Sequence, residues 1–454
     1  MKDLTSGSIT RNILATFGFM FVSMLFQTLY FLVDLYFVGR LGKEAVAAVS
    51  VAGNLTFVVL AATQMVAVGT TSLVAQATGR KDGEGARLIF NQSQGLSLAV
   101  GALFFLVFWA VRVPYARAQT ADAPTARLAI QYLDWFIPAM ALQFTIAATA
   151  AGLRGTGNFA PGMVVQTVTV VLNMVLAPVL MFGWGTGHPL GVAGTALASF
   201  LALALGAAAL TIYVARGEGY LQFRVRDMRP QPPLWRRMLV IGLPAGAEFF
   251  LMAIYMLIVY KLTRPFGAAA QAGFGIGLRV VQGLFLPVVA LGFAVSPVAG
   301  QNFGARKPDR VRATFKMGAL MASGLMAVFT ILCHLIPGPM VRVFSKDPQV
   351  LAVGSEYLRI ISSNFIASGL IFVSSSMFQA LGNTIPPLIS SALRLVIVAV
   401  PAYLLSRHSG FQLRWIWYLS AAAVIVQVLS NLLLLRREYG RRLQFPVERE
   451  VALR

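Results

Sequence analysis

The sequence contains one cysteine, three histidines and only 16 acidic residues among 454. A lone thiol, Cys333, excludes an internal disulfide, and neither a Cys-x-x-Cys spacing nor a histidine cluster offers a metal site. Charge of both signs is scarce: 12% of residues carry it, 57% are hydrophobic, and the mean hydropathy is +0.74. A water-soluble globular chain of this length could not keep so much apolar surface solvated, so lipid is the expected solvent. Runs without charge extend over 45–79, 88–111, 155–215, 280–305 and 415–435. Each exceeds the roughly 20 apolar residues that cross a bilayer, and 155–215 is long enough to cross twice. It divides at Gly183-Trp184-Gly185-Thr186-Gly187-His188-Pro189, where glycines and proline favour a turn.

What charge there is leans basic, with a net +21. Nucleic acid is not the implied partner, because Lys and Arg fall in short breaks between apolar runs and not on a polar, aromatic-rich face. Membrane topology accounts for them. Breaks at charged or Gly/Pro-rich turns predict twelve spanning helices near 12–39, 47–77, 88–111, 131–152, 160–182, 191–215, 237–262, 270–301, 314–336, 355–380, 385–406 and 413–435. The first is too long for a signal-peptide core and lacks a cleavage pattern after it, so it is expected to stay in the mature protein. The two ends and alternate loops hold 23 Lys and Arg against 11 in the other loops, with Lys261, Arg279 and Arg394 inside helices. Both termini are therefore expected in the cytoplasm, and the chain in the cytoplasmic (inner) membrane. The basic segment 216–236, with Pro230, Pro232 and Pro233, reads as a linker between an N-lobe (1–215) and a C-lobe (237–436), followed by a tail (437–454).

A shift of 225 residues aligns the sequence with itself. It pairs Arg11 with Arg236, Tyr30 with Tyr255, Gly42 with Gly267, Gln76 with Gln301, Gly79 with Gly304, Pro114 with Pro339, Tyr132-Leu133 with Tyr357-Leu358, and Gly157-Asn158 with Gly382-Asn383. Apolar bias alone would match Leu with Val at any shift, but not Gly, Pro, Gln and Arg at one. Six helices is an even number, so both copies enter the membrane the same way. The expected fold is all-α: two six-helix lobes related by a pseudo-twofold axis along the membrane normal, with a cavity between them.

An ionisable side chain in hydrocarbon costs at least about 2.5 to 3.5 kcal/mol and is a functional candidate by default. Asp34 is the only charge between Arg11 and Arg40, and Glu248 the only one between Arg237 and Lys261. Gln27, Tyr30 and Asp34 recur at helical spacing, so one face carries amide, hydroxyl and carboxylate. Loss of water favours the neutral form of a carboxyl group, which suits an acid that gains and releases a proton during a cycle. A permanently bonded packing acid is the alternative. The repeat partner of Asp34 is Val259, so the fold does not itself demand an acid there. Glu248 follows Gly242, Pro244 and Gly246, which permit a bend, and shares a face with Met252 and Tyr255 suited to a cationic aromatic compound. Its alternative role is to neutralise Arg279 or Lys261. Lys261 is expected to snorkel to the headgroups, whereas Arg394 lies mid-segment and needs a partner that the sequence does not name.

The stretch 26–42, FQTLYFLVDLYFVGRLG, closely resembles the first-helix signature of the multidrug and toxic compound extrusion (MATE) transporters. Leu153-Arg154-Gly155-Thr156-Gly157-Asn158 with Pro161 is similar to that family's loop after helix 4, and Gly300-Gln301-Asn302-Phe303-Gly304-Ala305 to its motif after helix 8. The resemblance covers about residues 8–435. It implies a monomeric secondary transporter, not an enzyme, that exports bulky and often cationic small organic compounds in exchange for inward H⁺ or Na⁺ and needs no cofactor. It also implies an ion-coupling site at Asp34, Tyr30, Asn173 and Thr195 and a C-lobe acid at Glu248; helical spacing adds Tyr255 to the C-lobe site, and Gln27, Arg279 and Arg394 are expected in supporting roles by their own positions. Two departures matter: Ala177 stands where many relatives carry a second N-lobe carboxylate, and the region of Leu370 lacks the helix 10 acid of sodium-coupled relatives. A proton needs one titratable group and Na⁺ several fixed oxygens, so H⁺ is expected, with Na⁺ at Asp34, Asn173 and Thr195 as the alternative. A lipid-linked oligosaccharide flippase of the same superfamily would share the design, but it should line its cavity with more bases than Arg279 and Arg394. A membrane-embedded enzyme would need clustered catalytic groups, and the sequence shows none.

Overall fold

In the computed structural model the described residues are 3–120, 122–185, 187–217, 221–408 and 410–445. Every long apolar run is helical. The N-terminal half comprises α1 (Ile9–Gly39), α2 (Lys43–Gly79), α3 (Gly83–Gln119), α4 (Ala123–Gly155), α5 (Ala160–Phe182) and α6 (Gly191–Arg216). The second comprises α7 (Pro232–Thr263), α8 (Ala268–Gly304), α9 (Pro308–Leu335), the short α10 (Pro337–Arg342), α11 (Pro348–Ser362), α12 (Phe365–Leu381), α13 (Ile385–Leu405) and α14 (Leu413–Arg442). Among the described residues eleven helices are long and apolar enough to cross a membrane, and α11 with α12 form a twelfth span bent by 56°. The protein is an all-α membrane protein of two six-helix lobes in pseudo-twofold relation.

Helix ends obey local chemistry. Ser8, Asp82, Asp122 and Asp347 accept backbone N–H bonds at the starts of α1, α3, α4 and α11. The bonds from Thr125 hold the Asp122 carboxyl below the usual carboxylate range. The turns repeat as faithfully as the helices. Gly42 and Gly267 take φ of 107° and 88°, and Lys81 and Arg306 share a left-handed φ of 60° and 56° although neither is glycine. Positions 225 apart thus keep one backbone shape where the side chains have changed.

Helix ends observed in the structure run past the sequence windows, which were set by charge: α3 extends to Gln119 through Arg112 and Arg117, and α7 begins at Pro232. The larger difference lies at the tenth span. The window 355–380 is two helices broken at Ser363-Asn364, whereas its counterpart α4 runs unbroken through Pro138. At the break the Thr330 hydroxyl of α9 is 2.8 Å from the Ser362 carbonyl oxygen and 2.9 Å from that of Met326 on its own helix, whereas the first copy has Phe105 at the equivalent position.

The first helix of each lobe straddles both. Leu4 and Ile13 are fully buried in the C-lobe core, while Val38 at the other end of α1 belongs to an N-lobe core. Likewise Met238, Ile241 and Ala245 of α7 pack in an N-lobe core, while Val259 is buried in the C-lobe. The lobes meet on the face that carries Leu4 and Phe445, where backbones approach without intervening side chains. A Cβ on Gly79 would stand 2.0 Å from the Gln301 carbonyl oxygen, and one on Gly304 2.1 Å from that of Gln76.

Candidate functional site

Asp34 lies 25 residues on from Ile9, roughly 37 Å of helix rise from the lobe junction, so α1 carries it deep into the N-lobe. There α1 packs on α5, and α5 on α6. The α5–α6 pair is close because Gly194 lets α6 sit against the Leu180 backbone and Gly206 leaves room for Thr169. Gly183, left-handed at the end of α5, starts the turn between them.

A polar network fills this junction. The Tyr30 hydroxyl is 3.0 Å from Ser199 Oγ, and Asn173 Nδ2 donates to the same Oγ at 2.9 Å. Asn173 and Thr195 are buried. Asp34 lies within electrostatic reach of Tyr30 and of Tyr132 on α4. Its Oδ1 is buried with no hydrogen-bond partner, the Thr195 hydroxyl is likewise unpartnered, and among the described residues no base pairs with the carboxylate. Tyr30, Asp34, Asn173 and Thr195 therefore share one lobe and one region; Gln27 on the same helix is exposed. Ser199 was not legible beforehand, although it sits one turn beyond Thr195. Ala177 is buried, and no second acid takes its place.

The C-lobe candidates are more dispersed. Glu248 sits two residues past Gly246, where α7 leaves its contact with Ala61 of α2. It forms no ion pair with Arg279 or Lys261 among the described residues, so the neutralising role considered for it is not realised; both bases are exposed. Two turns further on, the Tyr255 hydroxyl lies 2.7 Å from Ser420 Oγ. Arg394 has neutral partners: Nη1 donates to Gln427 Oε1 at 3.3 Å, and the guanidinium stands over the Tyr255 ring at 5.1 Å. Gln427 is in turn anchored through Nε2 to Ser391 Oγ (3.0 Å).

The comparisons agree with this architecture. The family model MatE matches twice, over residues 20–179 and 244–404, once in each lobe. The chain is 26% identical over 413 residues to the probable multidrug resistance protein YoeA of Bacillus subtilis, covering 90% of this chain and 89% of that protein. It is 25% identical over 415 residues to the probable multidrug resistance protein NorM of Thermotoga maritima, covering 90% and 88%. A solved outward-facing structure of a MATE family transporter of the MOP superfamily superposes with a TM-score of 0.89 at 23% identity, over 97% of this chain and 98% of that one.

Proposed function

We propose, for a chain that belongs to the MatE family of membrane transporters, that it exports bulky, often cationic organic compounds across the cytoplasmic membrane in exchange for inward H⁺, with Asp34 as the coupling group. The observation that carries this reading is the Asp34 carboxylate, set in apolar helices with one oxygen buried and unpartnered and, among the described residues, no base paired with it. A charge so placed is costly when ionised and relieved when a proton binds, so occupancy can bias one lobe arrangement over another. The names of the curated relatives support drug-like substrates. Na⁺ would require several oxygens. Asn173 already donates its amide to Ser199, and position 177 supplies no second carboxylate.

Glu248 then meets the cationic part of the compound, and the Tyr255 ring, two turns further along α7, borders its path in the C-lobe. A flippase would need further bases beside Arg279 and Arg394 to hold a pyrophosphate, and Arg394 bonds Gln427 and covers the Tyr255 ring. The test is transport in proteoliposomes driven separately by ΔpH and by ΔNa⁺ across a panel of compounds. Transport driven by ΔpH alone is expected; accumulation driven by Na⁺ with ΔpH collapsed would overturn H⁺ coupling.

A further inference from the structure

Arg394 plays no part in the coupling just described, and it is the more unusual charge. It stands nine residues after Ile385, roughly 14 Å of helix from the nearer end of α13, farther than a guanidinium can reach to a headgroup. A cation in such a place is ordinarily matched by a carboxylate. Here it has an amide oxygen and an aromatic ring, its Nε is buried with no acceptor, and among the described residues no acid pairs with it. The surroundings are nonetheless built to hold it: Ser391 orients Gln427, and Ser420 orients Tyr255.

The repeat gives this arrangement meaning. Tyr30 and Tyr132 of the N-lobe correspond to Tyr255 and Tyr357 of the C-lobe, and Thr195 corresponds to Ser420. In each lobe the first-helix tyrosine meets a serine of the sixth helix, Ser199 or Ser420. On this shared frame the N-lobe places Asp34, whose counterpart is Val259, and the C-lobe places Arg394, whose counterpart is Thr169. Tyr132 lies within electrostatic reach of the acid and Tyr357 of the base. The two lobes thus carry charges of opposite sign on the same tyrosine and serine frame.

We propose that Arg394, with Gln427 and Tyr255, forms an anion subsite that takes the carboxylate of a transported compound. This rests on the export reading above and narrows it: the preferred compounds are dipolar, with a cationic aromatic body and an acidic substituent. The guanidinium supplies a planar pair of donors that fits a carboxylate, and Nε is a donor left without a partner.

Rhodamine 110, a zwitterion, and rhodamine 123, its cationic methyl ester, differ only at the acid. Binding of both to purified wild-type, Arg394→Gln and Arg394→Lys protein in nanodiscs, followed by fluorescence polarisation, tests the proposal. The wild type should prefer rhodamine 110. That preference should fall by about tenfold in Arg394→Gln, the size of a lost charge-assisted hydrogen bond, and partly recover in Arg394→Lys. If Arg394→Gln does not yield folded protein, Arg394→Lys alone should still lower the preference. A ratio unchanged in folded variants would reduce Arg394 to packing. Equal wild-type affinity for the two dyes, with binding that changes when chloride is replaced by gluconate, would assign the pocket to a free anion and overturn the proposal. Binding of neither dye by the wild type would instead overturn the multidrug reading, and this subsite with it.

Discussion

Asp34 was legible because acids are so few: one carboxylate between Arg11 and Arg40 in an apolar helix stands out in any reading. Ser199 was not, because serine is common in membrane helices and bonds its own helix, as Ser199 does with the Thr195 carbonyl. Only the packing of α1, α5 and α6 shows that it also serves Tyr30 and Asn173. Two outcomes follow from this difference. Asp34→Asn is nearly isosteric but cannot change charge, so ΔpH-driven efflux in proteoliposomes should vanish while the protein still inserts and elutes as the wild type does. Full efflux would remove Asp34 from the mechanism. Ser199→Ala keeps the acid but leaves the Asn173 amide and the Tyr30 hydroxyl without that shared oxygen. A buried donor left unmet costs about 1–3 kcal/mol, so the variant should couple with weaker apparent H⁺ affinity and a lower thermal midpoint. A midpoint and pH profile identical to the wild type would show the bond to be dispensable.

Among the helices, charge breaks and Gly/Pro turns located all twelve spans, and the fixed shift of 225 residues paired Gly42 with Gly267 in the sequence; the left-handed Lys81 and Arg306 emerge only in the structure. What the shift could not convey is where the copies diverge. Pro138 lies inside the continuous α4, yet the tenth span breaks at Ser363-Asn364 without a proline. The sequence signal for a kink points to the wrong copy. The broken end meets a hydroxyl of a neighbouring helix, Thr330, and a single-sequence window does not register contacts between helices. Thr330→Val is close in volume and removes that donor from the Ser362 carbonyl. It should lower stability by about 1–3 kcal/mol, read as a reduced thermal midpoint in detergent, and Thr330→Ser should restore most of it. If Val and Ser behave alike, the hydroxyl does not hold the bend.

At the scale of the whole molecule, the face bearing Leu4 and Phe445 is closed by a clasp that obeys the repeat. Gln76 Nε2 donates to the Ala380 carbonyl and Gln301 Nε2 to that of Gly155, both at 2.9 Å, and each of these residues is 225 positions from its counterpart. The N-terminal segment adds to it, with the Leu4 N–H donating to Gln301 Oε1 and Asn302 Nδ2 donating to the Leu4 carbonyl. Alternating access requires this face to part, and the glycines at the crossing set how closely the lobes approach. Valine at both Gly79 and Gly304 would place carbon atoms where the opposing carbonyl oxygens now lie, so the two lobes could not close here without backbone movement. The opposite opening should be favoured in consequence. Spin labels at Glu84 and Asp309, exposed and equivalent by the repeat, report on this directly once Cys333, the single native thiol, is replaced. The distance between them should shift to longer values in the Gly79→Val/Gly304→Val protein, with efflux slowed because one half of the cycle is disfavoured. A distribution identical to that of the parent, in a variant that folds, would show that these contacts do not govern closure.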